Sequence, residues 1–259
     1  MKENTKRFLE ANPGGAASAG DIVHRNAPLG IREERRPSEE IAHMRLFHYH
    51  FWTDKAEAME RFYRSRKFRT ALRIGRENGE MRTFNPPLDW EDFRHRGIRF
   101  RIIEMIRGHV NVTFGYGTRD RLDHLGMLVD EEEHDAVASR ARQSGMQVEE
   151  SDARTFVRTP WGFRLELQRR RDVVDKEPKA VIAGMKMRIP FSPDPRMLAE
   201  WLKAEAAEKA GEITLMRGGW RLQFVEGDRP RLDTVYLITP NPPSESVDPA
   251  GVRIIETPQ

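Results

Sequence analysis

The sequence predicts an α+β fold built from repeated strand–helix–three-strand units around one cavity, with a third, degenerate copy of the unit. Three features point there. Short apolar runs with period-two alternation each carry a polar residue on one face: His48 in MRLFHYHFW, His124 in RLDHLGMLV and Glu166 in WGFRLELQ. The strand, helix, three-strand order occurs twice, at a spacing of about 76 residues from His48 to His124, which marks internal duplication. GGWRLQF at 218–224 echoes WGFRLEL at 161–167, with Gln223 where Glu166 stands.

Residues 1–43 hold a short helical stretch, NTKRFLEA, then NPGGAASAGD and the charged IREERRPSEE, and read as an N-terminal extension. The first unit, 44–117, begins with a strand through Trp52 in which Phe47, Tyr49 and Phe51 face away from His48. A helix over 54–66 puts Met59, Phe62 and Tyr63 on one side, and strands at 69–74, 98–107 and 109–115 complete the unit. NPPLDWEDF, 85–93, reads as a surface loop at the mouth of the cavity.

The second unit, 118–170, has a strand at 122–129, a helix over 131–144 stopped by Gly145, and strands near 146–149, 154–158 and 163–168. A charged linker, 171–183, leads to the third unit, 184–240. It has a strand over 185–191, SPDP as a helix start, a helix from Pro195 to about Ala210, and a last strand over 232–239. Residues 241–259, rich in Pro and Ser, read as a flexible tail.

Of 259 residues, 38% are hydrophobic and 33% charged, the balance of a soluble globular protein. No apolar run approaches the roughly 20 residues that cross a bilayer, and the start lacks the apolar core of a secretory signal, so a cytoplasmic protein without a membrane partner is expected. The absence of cysteine excludes a disulfide framework, a thiolate metal site and a cysteine nucleophile. Net charge is only +3, with Arg spread among nearly as many acids, so no nucleic-acid partner is expected. The basic run over 61–76 reads as a solvated helix face. FGYGTRD opens no helix and NPGGAASAG follows no strand, which argues against a nucleotide-phosphate loop.

Two neutral imidazoles and one carboxylate bind a divalent transition metal and leave coordination positions open. His48, His124 and Glu166 are the candidate ligands. A lone histidine on a strand is more often structural; the coincidence of three such positions in duplicated units argues for the metal. His50, two residues beyond His48, shares its face and is the candidate proton-transfer group or a competing ligand. Thr113 and Arg158 are candidate substrate contacts, Arg158 as a clamp for an anionic group. His109 starts a strand and Tyr116 lies on a Gly-flanked connector, while His24, His43, His95 and His134 read as surface residues.

These residues resemble the vicinal oxygen chelate superfamily, which includes glyoxalase I, extradiol dioxygenases, fosfomycin resistance enzymes and bleomycin-binding proteins. His48 is followed fourteen residues later by Phe62-Tyr63, RLDHLGMLVDEEEHDAVASRARQSG looks like a second-module opening, and RTFVRTPWGFRLELQ, from Arg154, like the closing hairpin. The resemblance covers about 44–170, with a weaker echo at 184–239. It implies paired βαβββ modules forming a curved mixed sheet around a metal-binding cavity, with His48, His124 and Glu166 matching the ligand positions. Asn111 or Thr113 stands where four-ligand members carry a second Glu, and Glu104 sits one strand early.

The resemblance further implies a metal-dependent enzyme holding Fe(II) or Mn(II), with Zn(II) or Ni(II) as alternatives. Its small-molecule substrate would chelate through vicinal oxygens, as in a ring-cleaving dioxygenase. The alternative is a binding or antibiotic-sequestering protein that uses the same cavity without turnover, with Glu166 paired to Arg. A third module without a partner in the chain predicts a homodimer, or a lone module packed by its helix.

Overall fold

The computed structural model describes residues 44–152 and 154–259. The expected extension at 1–43, with His24 and His43, lies outside the described residues. Among these residues the chain forms two mixed sheets, of nine and seven strands.

The first sheet begins with β1 (Met44–Thr53), α1 (Ala56–Ser65), β2 (Arg69–Glu77), β3 (Glu80–Thr83), the short α2 (Trp90–Phe93), β4 (Arg99–Arg107) and β5 (Val110–Tyr116). It continues with β6 (Arg121–Val129), α3 (Glu131–Gln143), β7 (Val148–Glu150), β8 (Thr155–Arg158) and β9 (Arg164–Gln168). The strand order is β3-β2-β4-β5-β1-β6-β9-β8-β7. In each unit the first strand pairs in parallel with the last, β1 with β5 and β6 with β9, and the two first strands pair antiparallel at the centre. That arrangement lays His48, His124 and Glu166 on three adjacent strands.

The second sheet contains β10 (Val181–Ile189), α4 (Arg196–Leu202), β11 (Glu205–Lys209), β12 (Glu212–Arg217), β13 (Trp220–Glu226), β14 (Arg231–Thr239), β15 (Ser244–Val247) and β16 (Arg253–Pro258). Its order, β11-β12-β13-β10-β14-β16-β15, repeats the same rule, with β10 parallel to β13 and β14 parallel to β16.

Three sequence expectations change here. The strand over 231–239 opens a fourth unit rather than ending the third, and the supposed tail supplies β15 and β16, with Val252 and Ile254 in the core. The third unit therefore finds its partner within the chain, which removes the ground for expecting a homodimer. The helix of the third unit, α4, stops at Leu202, where Lys203 turns left-handed, and Glu205–Lys209 is a strand. Its Ala-rich, charged sequence reads as helix, but Ala210 and Gly211 both have positive φ and make the two-residue loop of a hairpin to β12.

Gln223 is not the counterpart of Glu166. On β13 it pairs with Lys186 of β10, as Thr113 on β5 pairs with His50 of β1. The second-sheet positions matching His48, His124 and Glu166 hold Gly184, Thr234 and Ile255, which leaves no ligand set.

The helices cover one face of the first sheet. Met59 and Tyr63 of α1 are buried in a core with Tyr49, Phe114, Leu125 and Leu165. Asp130 caps α3 by accepting from the Glu133 amide at 2.8 Å, with acids in the first turn and Arg140 and Arg142 in the last, each complementing the helix dipole. The expected loop at 85–93 contains α2 and is pinned to α1 and β2: buried Arg73 donates to Glu60 and to the carbonyls of Phe84 and Leu88, and the Trp90 indole donates to Glu60. No helix among the described residues is long and apolar enough to cross a membrane.

Two bulges break the alternation at the centre. In the β1/β6 pairing, Phe47 and Asp123 are extra residues without an opposite number. Phe47 thereby turns to the His48 side, their rings stacked 5.4 Å apart, instead of lying opposite it. The same two irregularities recur in the β10/β14 pairing, at Ala183 and Asp233.

Candidate metal centre

β1 and β6 bring His48 Nε2 to 3.0 Å from His124 Nε2, and β9 delivers Glu166 Oε2 to 3.1 Å from His124 Nε2 and 3.7 Å from His48 Nε2. The His50 ring stacks on that of His124, with centroids 5.0 Å apart and planes within 7°. His48, His50 and His124 offer ligand atoms within 4.8 Å of one another, and all three rings are buried. The structure thus brings together four of the residues singled out from the sequence.

The surrounding bonds decide where the protons sit. His48 Nδ1 lies 3.0 Å from both the backbone carbonyl oxygen and Oδ1 of Asn111, two acceptors, so Nδ1 carries the hydrogen. His124 Nδ1 donates to Asp123 Oδ2 at 2.7 Å. In neutral rings both Nε2 atoms turn lone pairs to each other and to a carboxylate oxygen, a repulsive convergence that a shared cation relieves and that, without one, a proton on His124 Nε2 donated to Glu166 relieves instead. Right-angle ligands about 2.1 Å from a metal stand about 3.0 Å apart, so these donors fit a divalent ion. His50 adds a fourth donor, a third nitrogen: Nδ1 is 2.5 Å from Thr113 Oγ1, while Nε2 is buried without a hydrogen-bond partner.

Outer contacts fix the ligands. Asn111 Nδ2 donates to Glu104 Oε1 at 2.7 Å and to the Val173 carbonyl at 2.8 Å, so Glu104 orients the residue that orients His48. Asp123 accepts from the Trp52 indole at 2.9 Å and from Arg164, whose guanidinium lies 4.2 Å over the Phe156 ring. Gln168 Nε2 donates to Glu166 Oε1 at 3.3 Å.

Burial pushes His48 down to about 4, partly opposed by the Glu166 charge, and holds His50 well below the ordinary histidine value with help from His124 and His48. Burial raises Glu166, but its hydrogen bond to His124 and the neighbouring imidazoles outweigh it and bring the carboxyl to about 2. Burial also raises Asp123, and there the bonds from His124, Arg164 and Trp52 prevail and hold it well below the carboxylate range. Neutral His48 and ionised Glu166 are the forms in which these side chains bind metal.

Other sequence candidates sit differently. Thr113 is engaged by His50, and its Oγ1 also lies 3.4 Å from His48 Nε2. Arg158 is exposed and bonds Glu149 at 2.5 Å, so it clamps nothing at the cluster. Strand phase puts it on the side of Phe156, but two residues farther along, at the rim. Arg45 donates to half-buried His109 at 2.8 Å. His134, expected at the surface, is buried and bonds Thr155 and Asp135. Asp123, Arg164 and Trp52 were missed because strict alternation aims Asp123 away from His124; the Asp-His pair in RLDHLG was the available signal.

Beyond His50 lies an aromatic and basic rim. The Trp52 ring is 4.8 Å from His50, the Arg101 guanidinium lies 4.7 Å over Trp52, and Arg99 lies 5.5 Å over exposed Tyr116. With Arg76, Met81 and Phe100 they line a cavity of about 370 Å³.

No family profile and no curated protein matches the sequence. Solved structures match the fold. Homoprotocatechuate 2,3-dioxygenase from Arthrobacter globiformis is 15% identical with a TM-score of 0.54, over 83% of this chain and 79% of that one. The Mn(II)-bound glyoxalase from Novosphingobium aromaticivorans is 13% identical with a TM-score of 0.59, over 83% and 81%. A 2,3-dioxygenase from Pseudomonas sp. KL28 is 13% identical with a TM-score of 0.54, over 83% and 92%. At these identities the likeness is one of fold, and it is the fold that the resemblance to vicinal oxygen chelate proteins implies.

Proposed function

We propose that the protein is a metal-dependent enzyme in which His48, His124 and Glu166 hold a divalent ion, Fe(II) or Mn(II) before Zn(II) or Ni(II). Its small-molecule substrate chelates through vicinal oxygens, and ring cleavage of an aromatic diol is the preferred reaction. The observation that carries this is the convergence of His48 Nε2, His124 Nε2 and Glu166 Oε2 at 3.0 to 3.7 Å. A bound ion supplies Lewis acidity toward the diol oxygens and leaves positions open for substrate and co-substrate.

The chain's own residues supply the rest. His50 Nε2, neutral and unpartnered, accepts a proton from a diol hydroxyl, while Thr113 holds the opposite nitrogen. The rings of Trp52 and Phe156 lie against His50 and His124 and keep water from the centre. Arg101 and Arg99 on the rim favour a substrate with an acidic substituent. The alternative of a pocket without turnover predicts Glu166 paired with arginine; among the described residues its ion pairs are with His48 and His124.

The test is metal analysis of protein purified without chelator, followed by oxygen uptake with catechol-type substrates bearing a carboxylate. About one metal per chain with turnover supports the reading; less than about 0.1 per chain, with no rise on adding Fe(II) or Mn(II), sinks it.

A further inference from the structure

The seam between the sheets holds a second cavity of different chemistry. β6 and β14 are entered through the same motif, Arg-x-Arg-Leu-Asp: Arg119 to Asp123 in one sheet, Arg229 to Asp233 in the other. These strands hold equivalent central positions in their sheets and approach each other, so the duplication delivers both motifs to one place. Arg119, Arg121, Arg229 and Arg231 line a cavity of about 400 Å³ over apolar Leu122 and Leu232. None of the metal-centre candidates lines it.

The charge there is not balanced from within. Asp120, the one carboxylate among the lining residues, already accepts from Thr53 and from Lys55, each at 2.6 Å. Arg231 shares Asp233 with Arg188, and Arg121 stands 3.8 Å from Asp123, whose carboxylate is bonded to His124 and Arg164. Arg119 and Arg229 have no acidic partner among the described residues. Guanidinium forks match carboxylate and phosphate oxygens two at a time, and a concave basic site focuses their field on an anion. Its volume falls within the range of about 300 to 1,000 Å³ typical of small-molecule sites.

We propose that this seam binds a small molecule with two oxyanion groups, a diphosphate or a dicarboxylate, each group held by the Arg-x-Arg pair of one sheet. The two pairs come from different sheets, so a two-headed ligand binds better than a one-headed one. This is independent of the function proposed for the metal centre.

Calorimetric titration of the full chain with inorganic pyrophosphate and, separately, succinate tests it, with orthophosphate and acetate as one-headed controls at equal ionic strength. The expected result is one site for pyrophosphate, succinate or both, which names the source. Binding should be at least about tenfold weaker for the matching one-headed ion and for the Arg119→Ala/Arg229→Ala double variant, and unchanged in Arg158→Ala, whose arginine lies outside the seam. Both seam arginines are exposed, so an unchanged melting temperature shows the variant folded. Absence of binding at millimolar ligand, equal affinity for one-headed ions, or binding that survives the double variant, as chelation at the metal centre would, overturns the proposal.

Discussion

Asp123 and His124 are consecutive residues on one strand, yet His124 Nδ1 donates to Asp123 Oδ2 at 2.7 Å. In regular strand geometry neighbours point to opposite faces. The bulge that makes Asp123 an extra residue against β1 lets both side chains reach the same side, and so sets the tautomer of His124. Asp123→Asn should weaken metal affinity about 10- to 100-fold while leaving the fold intact. Competition against a chromophoric chelator measures this; unchanged affinity would show that Asp123 does not orient a ligand.

Ligand and proton-transfer roles separate by variant. Single Ala substitutions at His48, His124 or Glu166 should cut bound metal from about one per chain to less than about 0.1. His50→Ala should keep the metal and lose about 10²- to 10⁴-fold in kcat. Metal loss in His50→Ala would instead make His50 a ligand.

With metal removed, stability should fall as pH drops. His48 is held at about 4 against an ordinary 6.5, so below 6.5 the unfolded chain binds a proton that the folded chain refuses. The contribution is fully present above 6.5 and is lost as pH falls from there to about 4, with a slope of at most about 1.4 kcal/mol per pH unit. His50 acts in the same direction. Melting curves from pH 8 to 4 should be steeper for the parent protein than for His48→Gln; parallel curves would contradict the assignment.

The carboxy-terminal strands should prove structural. Tyr63 donates to Asp248 Oδ2 at 2.9 Å, and Asp248 Oδ1 accepts the amides of Ala250 and Val252, each at 2.9 Å. Asp248→Ala leaves these donors buried and should cost about 1 to 3 kcal/mol in chemical denaturation. Ending the chain at Pro240 removes β15 and β16 and should abolish cooperative unfolding of the second sheet, where a loose tail would leave it unchanged.

The candidate site was legible because ligand chemistry and strand phase are local properties. His48, His50, His124 and Glu166 could be aligned on one side of their strands from period-two patterning alone. Arg158 shows the limit: phase assigned its side correctly, but only the pairing with β7 and β9 shows that it ends at the rim beside Glu149. The fourth unit was hidden because it lacks the helix that announces the others, and its short strands sit among prolines.

By itself the sequence determined the residue types that converge, the duplicated strand–helix order and the absence of thiol chemistry, because each follows from composition or from spacing along the chain. Tertiary structure decided the bulges at Phe47 and Asp123, the pairing of the third unit with the fourth and the meeting of the two Arg-x-Arg motifs. Register and strand neighbours depend on partners far away in sequence, and a shift of one residue turns a side chain to the other face.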